Sequence, residues 1–390
     1  MNIIIFCHPD YFHSVSMPKF VEMLNNGLNG RGHVVKFWKP KPYFSKINLP
    51  NSFKKWMGYI DSFLVFPVWV RFQLIFNREE ALYVFADQAL GPWVPLVNKF
   101  PHVIHCHDFL AQKSALNLIP NQRISFSGKL YQKLIRNGFK SGKNFISVSK
   151  LTQNDLNSFI NDKDLFSKVI YNGVNTLFSP GDSKESRDVL SHFLGLELNN
   201  GYLLHVGGNQ WYKNRIGIVG LYTTWREISD KSLPLILIGT KPSPELQVVI
   251  DSSKFSQDII SIENADDSLV KNAYRGAELF LFPSLAEGFG WPIAEAMASG
   301  TLVMTTGENP MTEVGGSVAF YHEKMPDSIN EIINWKVKGA ELLESIVSLP
   351  IDTKTQIINT GISWVKKFDQ NECIDKIEMV YQEIISRKSA

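Results

Sequence analysis

Short apolar runs punctuate the first half of the chain: NIIIF, GHVVKFW, ALYVFA, HVIHCH and FISVSK. Longer stretches separate them, and Met17 to Arg31 shows apolar residues at helical spacing. Strand and helix in alternation predict a parallel sheet with helices on both faces. The second half repeats the pattern in YLLHVGG, LPLILIG, DIISIEN, ELFLFPS and TLVMTTG, each pair separated by enough residues for a helix. Two doubly wound α/β domains are therefore expected, over residues 1–175 and 176–365. Tyr171 to Asp182 (YNGVNTLFSPGD) is rich in turn residues and reads as the linker between them. Ile362 to Arg387 again has apolar residues at helical spacing, so residues 366–390 are expected to pack back across the domain boundary.

A chain of 390 residues accommodates two such cores. Its 44% hydrophobic and 20% charged content is that of a folded, water-soluble protein rather than a disordered or fibrous one. Cys7, Cys106 and Cys373 are widely spaced with no CxxC pair, which fits a reducing cytoplasm. The opening NIIIF is too short for a signal peptide or a membrane span and reads as a buried strand. Net charge is +2, but it is unevenly placed. Met1 to Ile170 holds 21 Lys and Arg against 10 Asp and Glu, a net of +11, while the remainder holds 19 against 28, a net of −9.

Chemistry concentrates in ELFLFPSLAEGFGWPIAEAMASG, Glu278 to Gly300. An apolar strand ends at Pro283, a glycine-containing loop follows, and Pro292 suits the first turn of a new helix. Gly288 and Gly290 let backbone amides approach a ligand closely, and the helix aims its positive end and unpaired N–H groups the same way. An anion such as a diphosphate fits there without a dedicated metal. Glu287 lies on the loop and Glu295 about one turn into the helix. Carboxylates accept from paired hydroxyls, so sugar and ribose are their natural partners.

This segment resembles the donor-site signature of glycosyltransferase family 4, retaining enzymes of the GT-B fold, and the match is nearly complete from Pro283 to Gly300. The resemblance implies two Rossmann-like domains facing across a cleft, with the donor on the C-terminal one. It also implies that Glu287 contacts the donor sugar, that the amides of Gly288, Phe289 and Gly290 line sugar and phosphate, and that Glu295 binds ribose. HVGGNQWYKNR, ending at Arg215, is similar to the family's strand, glycine turn and basic pair. Lys213 takes the place of the diphosphate-gripping Lys, with Gly208 and Asn209 in the turn. Tyr212 stands where an Arg is expected, so either Arg215 or Asn209 compensates, or one phosphate contact is lost. IENADDSLV resembles the base-binding loop, with backbone groups near Ala265 pairing to the nucleobase. VIYNGVN resembles the interdomain motif.

In the first half, His105 and His107 end the strand of HVIHCHDF, where ligands bind in open parallel sheets. The resemblance places His107 beside the transferred sugar. A metal site of His105, His107 and Asp108 is disfavoured because alternation along the strand sends neighbouring side chains to different faces. CHPDYFHSVSMPKF lacks the family's loop glycines, and Ser14 and Ser16 are candidate substitutes on the acceptor side. Asp87 and Gln88 read equally as acceptor contacts or as a turn. The basic clusters around Lys36 to Lys55 and Arg123 to Lys143 fit peripheral contact with anionic lipid. FLVFPVWV (Phe63 to Val70) adds apolar bulk but is too short to span a bilayer. No nucleic-acid recognition motif accompanies the basic footprint.

Together these readings predict a cytoplasmic hexosyltransferase at the inner face of the membrane. It would need neither metal nor cofactor, because no Asp-x-Asp pair stands in a position to hold a metal ion. Its donor substrate would be a nucleotide sugar, UDP-glucose by preference and GDP-mannose as the main rival, and its acceptor a glycan or a lipid-linked sugar. An epimerase or phosphorylase on the same fold, or a nucleotide-sugar-binding protein without catalysis, are the competing classes.

Overall fold

Each set of apolar runs becomes a parallel sheet with six strands among the described residues. The structure is a computed structural model that describes residues 1–11, 16–47, 51–76, 80–162 and 165–389, without the side chains of 51–55 and 388–389. Met1–Tyr171 with Gln370–Ala390 forms one unit, and Asn172–Asp369 the other.

In the first unit the strands are β1 (Asn2–Phe6), β2 (Val34–Trp38), β3 (Leu82–Phe85), β4 (His102–Cys106), β5 (Asn144–Ser147) and β6 (Phe166–Val169). They lie in the order β2-β1-β3-β4-β5-β6, all parallel. Strands covered on both faces must be apolar on both, and β3 (LYVF) is buried at every position. Phe6 stacks on Phe85 at 4.5 Å between ring centroids and meets Phe66 and Trp38 edge-on, which makes an aromatic centre for this core.

The second unit has β7 (Leu203–Val206), β8 (Leu235–Gly239), β9 (Ile259–Glu263), β10 (Leu279–Phe282), β11 (Val303–Thr306) and β12 (Phe320–His322), in the order β12-β11-β10-β7-β8-β9. Leu203, Leu237, Leu281, Trp225 and Trp335 belong to its core. The chain fills one side of this sheet by β9 and then crosses to the other with β10. The loops leaving β7 and β10 therefore lie at the crossing point, the place where open parallel sheets bind ligands. The first unit has its own crossing point between β1 and β3.

The sequence pattern misses β6 and β12. Both are short edge strands with mixed burial, too brief for period-two alternation to show. The tail also differs from a single helical segment. One helix runs Ile351–Val365 and another Gln370–Ser389, broken at Asp369, whose backbone is extended. The last helix packs on the first unit: Gly27 faces Ile374, His33 meets Glu378 at 2.9 Å, and His105 Nε2 meets the Tyr381 hydroxyl at 2.7 Å.

FLVFPVWV is the middle of a continuous helical stretch from Asn51 to Phe76. Pro67 lacks an N–H, yet the stretch does not break there, because Asp61–Val65 widens into a π-turn in which the Phe66 N–H bonds to Asp61 O. The Ser62 carbonyl, which would otherwise wait for the missing Pro67 donor, accepts from Trp93 Nε1 at 3.0 Å. Close backbone approach fixes the next element. A Cβ on Gly138 would lie 2.1 Å from Gly91 O, so the helix Phe126–Phe139 can seat the turn Gln88–Trp93 only through glycine.

Burial holds two histidines neutral, His105 and His205, each pushed down to about 3. The unfolded chain binds a proton on each below about pH 6.5, whereas the native state does not, so stability present above that pH is lost as the pH falls towards 3. For His105 the loss between pH 7 and pH 5 is about 2 kcal/mol. His105→Phe should remove about that much of the pH dependence in urea unfolding curves; an acid limb of unchanged steepness would contradict the assignment.

Candidate functional site

In the second unit, the two signature segments of the sequence meet at the crossing point. The loop after β7 (Gly207 to Asn214) and the loop after β10 (Pro283 to Gly290) are joined by backbone, side chain and charge. Leu285 N donates to Tyr212 O at 2.7 Å. Asn214 Nδ2 donates to Pro283 O at 3.0 Å. Beneath them His205 Nδ1 bonds to Leu281 O at 2.9 Å, which leaves His205 Nε2 buried without a hydrogen-bond partner.

Lys213 Nζ lies 2.8 Å from Glu287 Oε1, and both side chains are largely buried. The ammonium also sits over the Phe282 and Tyr212 rings, 4.9 and 5.6 Å from their centroids. The residues expected to face the diphosphate and the sugar are thus brought together and neutralise each other.

Both loops open helices, Arg215–Ile228 and Trp291–Ala298, whose N-terminal ends face the same edge of the sheet. Gly290, at φ +99°, turns the chain into the second helix through a left-handed conformation that favours glycine. Phe289 is buried edge-on against Phe368, and Trp291 Nε1 reaches Gly173 O at 3.0 Å. The loop that presents the amides of Gly288, Phe289 and Gly290 is therefore clamped from behind. Glu295 accepts from the hydroxyl of Tyr274 at 3.1 Å and is partly exposed.

Arg215 and Asn209 do not hold two independent positions. Arg215 Nη1 donates to Asn209 Oδ1 at 2.6 Å and to Thr240 O at 2.8 Å, while Asn209 Nδ2 donates to Lys241 O. Arg215 is buried beneath the turn, where burial lowers its pKa, and its Nε and Nη2 have no hydrogen-bond partner. Beside the turn, Gly207 N pairs with Ile238 O, and Gly208 is half-buried. Ala265 lies between β9 and the helix Asp267–Gly276, next to Asn264 at φ +53° and to Asp266, which caps that helix.

A second cluster occupies the crossing point of the first unit. His8, on the loop after β1, bonds through Nε2 to Asp87 Oδ2 at 2.9 Å. Asp87 also caps the turn that follows it by accepting from Ala89 N. Burial disfavours the Asp87 carboxylate, but the hydrogen bond from His8 and the nearby charges of His8 and His107 hold its pKa below the ordinary value. Gln88 braces two loops, taking His107 N–H on its carbonyl and giving its amide to Asp108 O. His107 Nε2 donates to Ala86 O at 2.9 Å, which fixes the tautomer and leaves Nδ1 as the acceptor. Burial lowers the pKa of His107, opposed by the nearby Asp87 carboxylate and the bond to Ala86.

His105 shares the Phe20 ring with His107 but makes its hydrogen bond to Tyr381. Ser16 is exposed at the start of a helix, and Ser14 lies outside the described residues. His8 is the residue that sequence reading passed over, since its partner is 79 positions away and only the order of β1 and β3 joins them. Among the described residues no three His, Cys, Asp or Glu side chains are grouped to hold a metal ion.

The sequence model described as Glycosyl transferases group 1 matches residues 200–333, the stretch that holds both joined loops. O-antigen chain mannosyltransferase B of Escherichia coli is 25% identical over 47% of this chain and 46% of its own length. The curated relatives that match are spanned over 46 to 64% of their lengths. Among solved structures, sucrose-phosphate synthase from Thermosynechococcus elongatus superposes with a TM-score of 0.77 at 15% identity, covering 99% of both chains. The Anabaena protein HepE in complex with UDP-glucose superposes with a TM-score of 0.69 at 15% identity, covering 100% of this chain and 99% of its own. Residues 200–333 thus match the glycosyl transferases group 1 model, and the paired parallel sheets give the chain a fold of the GT-B type.

Proposed function

We propose that the second unit binds a nucleotide-diphosphate sugar and that the protein is a retaining, metal-independent hexosyltransferase. The observation that carries this reading is the Lys213–Glu287 pair at the β7/β10 crossing point, flanked by two helix N-termini. A diphosphate competes with Glu287 for Lys213 and brings more negative charge than one carboxylate. Once it binds, Glu287 is released to accept from sugar hydroxyls, so phosphate and sugar recognition are coupled through one ion pair. As the glycosidic bond to the leaving phosphate breaks, charge grows on oxygens facing Lys213, the loop amides and the helix ends. Glu295, one turn into the helix, is assigned to the ribose, and Ala265 marks the nucleobase loop.

UDP-glucose is the proposed donor, in keeping with the UDP-glucose held by the structural neighbour HepE. GDP-mannose is the second reading, favoured by the mannosyltransferase relative. His107 is assigned a catalytic place beside the transferred sugar, and the His8–Asp87 pair, with Gln88 as a brace, the acceptor side. The acceptor is proposed to be a glycan or a lipid-linked sugar, and the site of action the cytoplasmic face of a membrane.

Lys213→Ala should lower turnover by about tenfold to a thousandfold, or about 1.4 to 4 kcal/mol of transition-state stabilisation. Because the change leaves Glu287 without its cation, unfolding curves should accompany the kinetics; unchanged turnover in a folded variant would sink the assignment. Activity should survive EDTA, and loss restored by Mg²⁺ or Mn²⁺ would show that the metal-free mechanism is wrong. Calorimetric titration should show UDP binding more tightly than GDP or ADP. Preference for GDP would select the mannose reading, and equal weak binding of all three would tell against a specific donor site.

A further inference from the structure

The helical stretch Asn51–Phe76 is apolar on its outer face as well as its inner one. Its buried face carries Asp61 and Ser62 beside Phe66 and Val70. The Asp61 carboxylate accepts from the backbone N–H groups of Tyr43, Phe44 and Ser45 at 2.9 to 3.2 Å and from the Ser45 hydroxyl at 2.7 Å. Its outer face carries Trp56, Leu64, Val68, Phe72, Ile75 and Phe76, each more than half exposed. Between Trp56 and Phe76, Arg71 is the one polar residue in the exposed class among those described. Spacings of four and three residues from Leu64 to Ile75 put these side chains in one stripe along the helix.

A second helix extends the surface. Phe126–Phe139 abuts the first through Tyr131, whose ring lies 5.8 Å from Tyr59 and 5.9 Å from Phe63. It exposes Phe126 at 84%, along with Leu130 and Leu134, again at four-residue spacing. Monomeric proteins in water rarely leave so continuous an apolar surface uncovered. The two segments that carry it are basic in sequence, although Lys39 pairs with Asp10 and Glu79 and Glu80 follow Phe76. Lys36 to Phe76 contains seven Lys and Arg against the single buried Asp61, and Arg123 to Lys150 contains seven against none.

Trp56–Phe76 has the length and composition to cross a membrane. Its packing assigns a different orientation. Phe66 and Val70 are buried in the core of the first unit, and Asp61 is tied to Tyr43–Ser45. A crossing would strip those contacts and put the carboxylate into hydrocarbon. A helix held by one face to a folded domain, with apolar side chains on the other and basic residues at its borders, suits a position in the plane of the interface.

We propose that the face built from Asn51–Phe76 and Phe126–Phe139 docks on an anionic phospholipid bilayer, with the apolar stripe below the headgroups and the basic side chains at phosphate level. The donor assignment in the second unit is not needed for it.

The test is flotation of the full chain with vesicles of phosphatidylcholine alone and with about 30% phosphatidylglycerol added. The chain should float with the anionic vesicles, stay below with neutral ones, and detach in about 0.5 M salt or in alkaline carbonate. Val68→Glu/Phe72→Glu, at exposed positions, should cut the bound fraction about tenfold or more while UDP binding by the second unit is unchanged. Lys133→Glu/Lys140→Glu should remove the preference for anionic lipid. Failure of the wild-type chain to float, or equal flotation of the apolar-face variant, would overturn the proposal. Resistance to carbonate would show a crossing helix instead, and a dimer in solution that Val68→Glu/Phe72→Glu converts to monomer, without flotation, would assign the face to a second copy of the chain.

Discussion

The second unit depends on one lateral contact, the joining of the loops that leave β7 and β10. Doubly wound topology makes these loops diverge, and nothing in strand pairing holds them together beyond the ends of the strands. The chain closes the gap with a backbone bond from Leu285 to Tyr212, a side-chain bond from Asn214 to Pro283 and the Lys213–Glu287 pair. These bonds bring two helix N-termini to the same edge of the sheet. The ion pair is the exchangeable member of the set. A buried pair gains little stability over a well-packed apolar contact, so its presence points to a task other than folding.

Much of this unit was legible in the sequence because its chemistry is local. Strand, glycine turn and helix follow one another within Pro283 to Gly300, and proline and glycine mark the turn. Contacts between the two signature segments were not legible. Glu287 lies 74 positions from Lys213, and only the order of the strands reveals that they touch. The same holds for His8 and Asp87 in the first unit, where the loop after β1 has no glycine signature to flag it. Asp87 and Gln88, equally readable as a turn or as contacts, both have local partners, Asp87 capping the turn and Gln88 bracing His107.

The helical stretch from Asn51 to Phe76 shows a different limit. Read as a run of apolar letters, FLVFPVWV is apolar bulk too short to span a bilayer, with a proline inside it. Proline does not interrupt the helix here because a π-turn precedes it and Trp93 supplies the absent donor. Which face is buried then depends on where Asp61 finds its partners, and those lie on a loop that periodicity within the helix does not report. Hydrophobic pattern identifies an element more readily than it identifies which side of that element meets solvent.

The bond from Leu285 N to Tyr212 O has a consequence for how such a protein can diverge. It is made by main chain on both sides, so the bond that holds the turn after β7 does not depend on the side chain at position 212. A residue there is free to change charge and size while the fold around it persists. Tyr212, in place of the arginine expected from the resemblance, is an instance already present in the chain, and it leaves the turn's shape inherited while its ligand chemistry is open to selection.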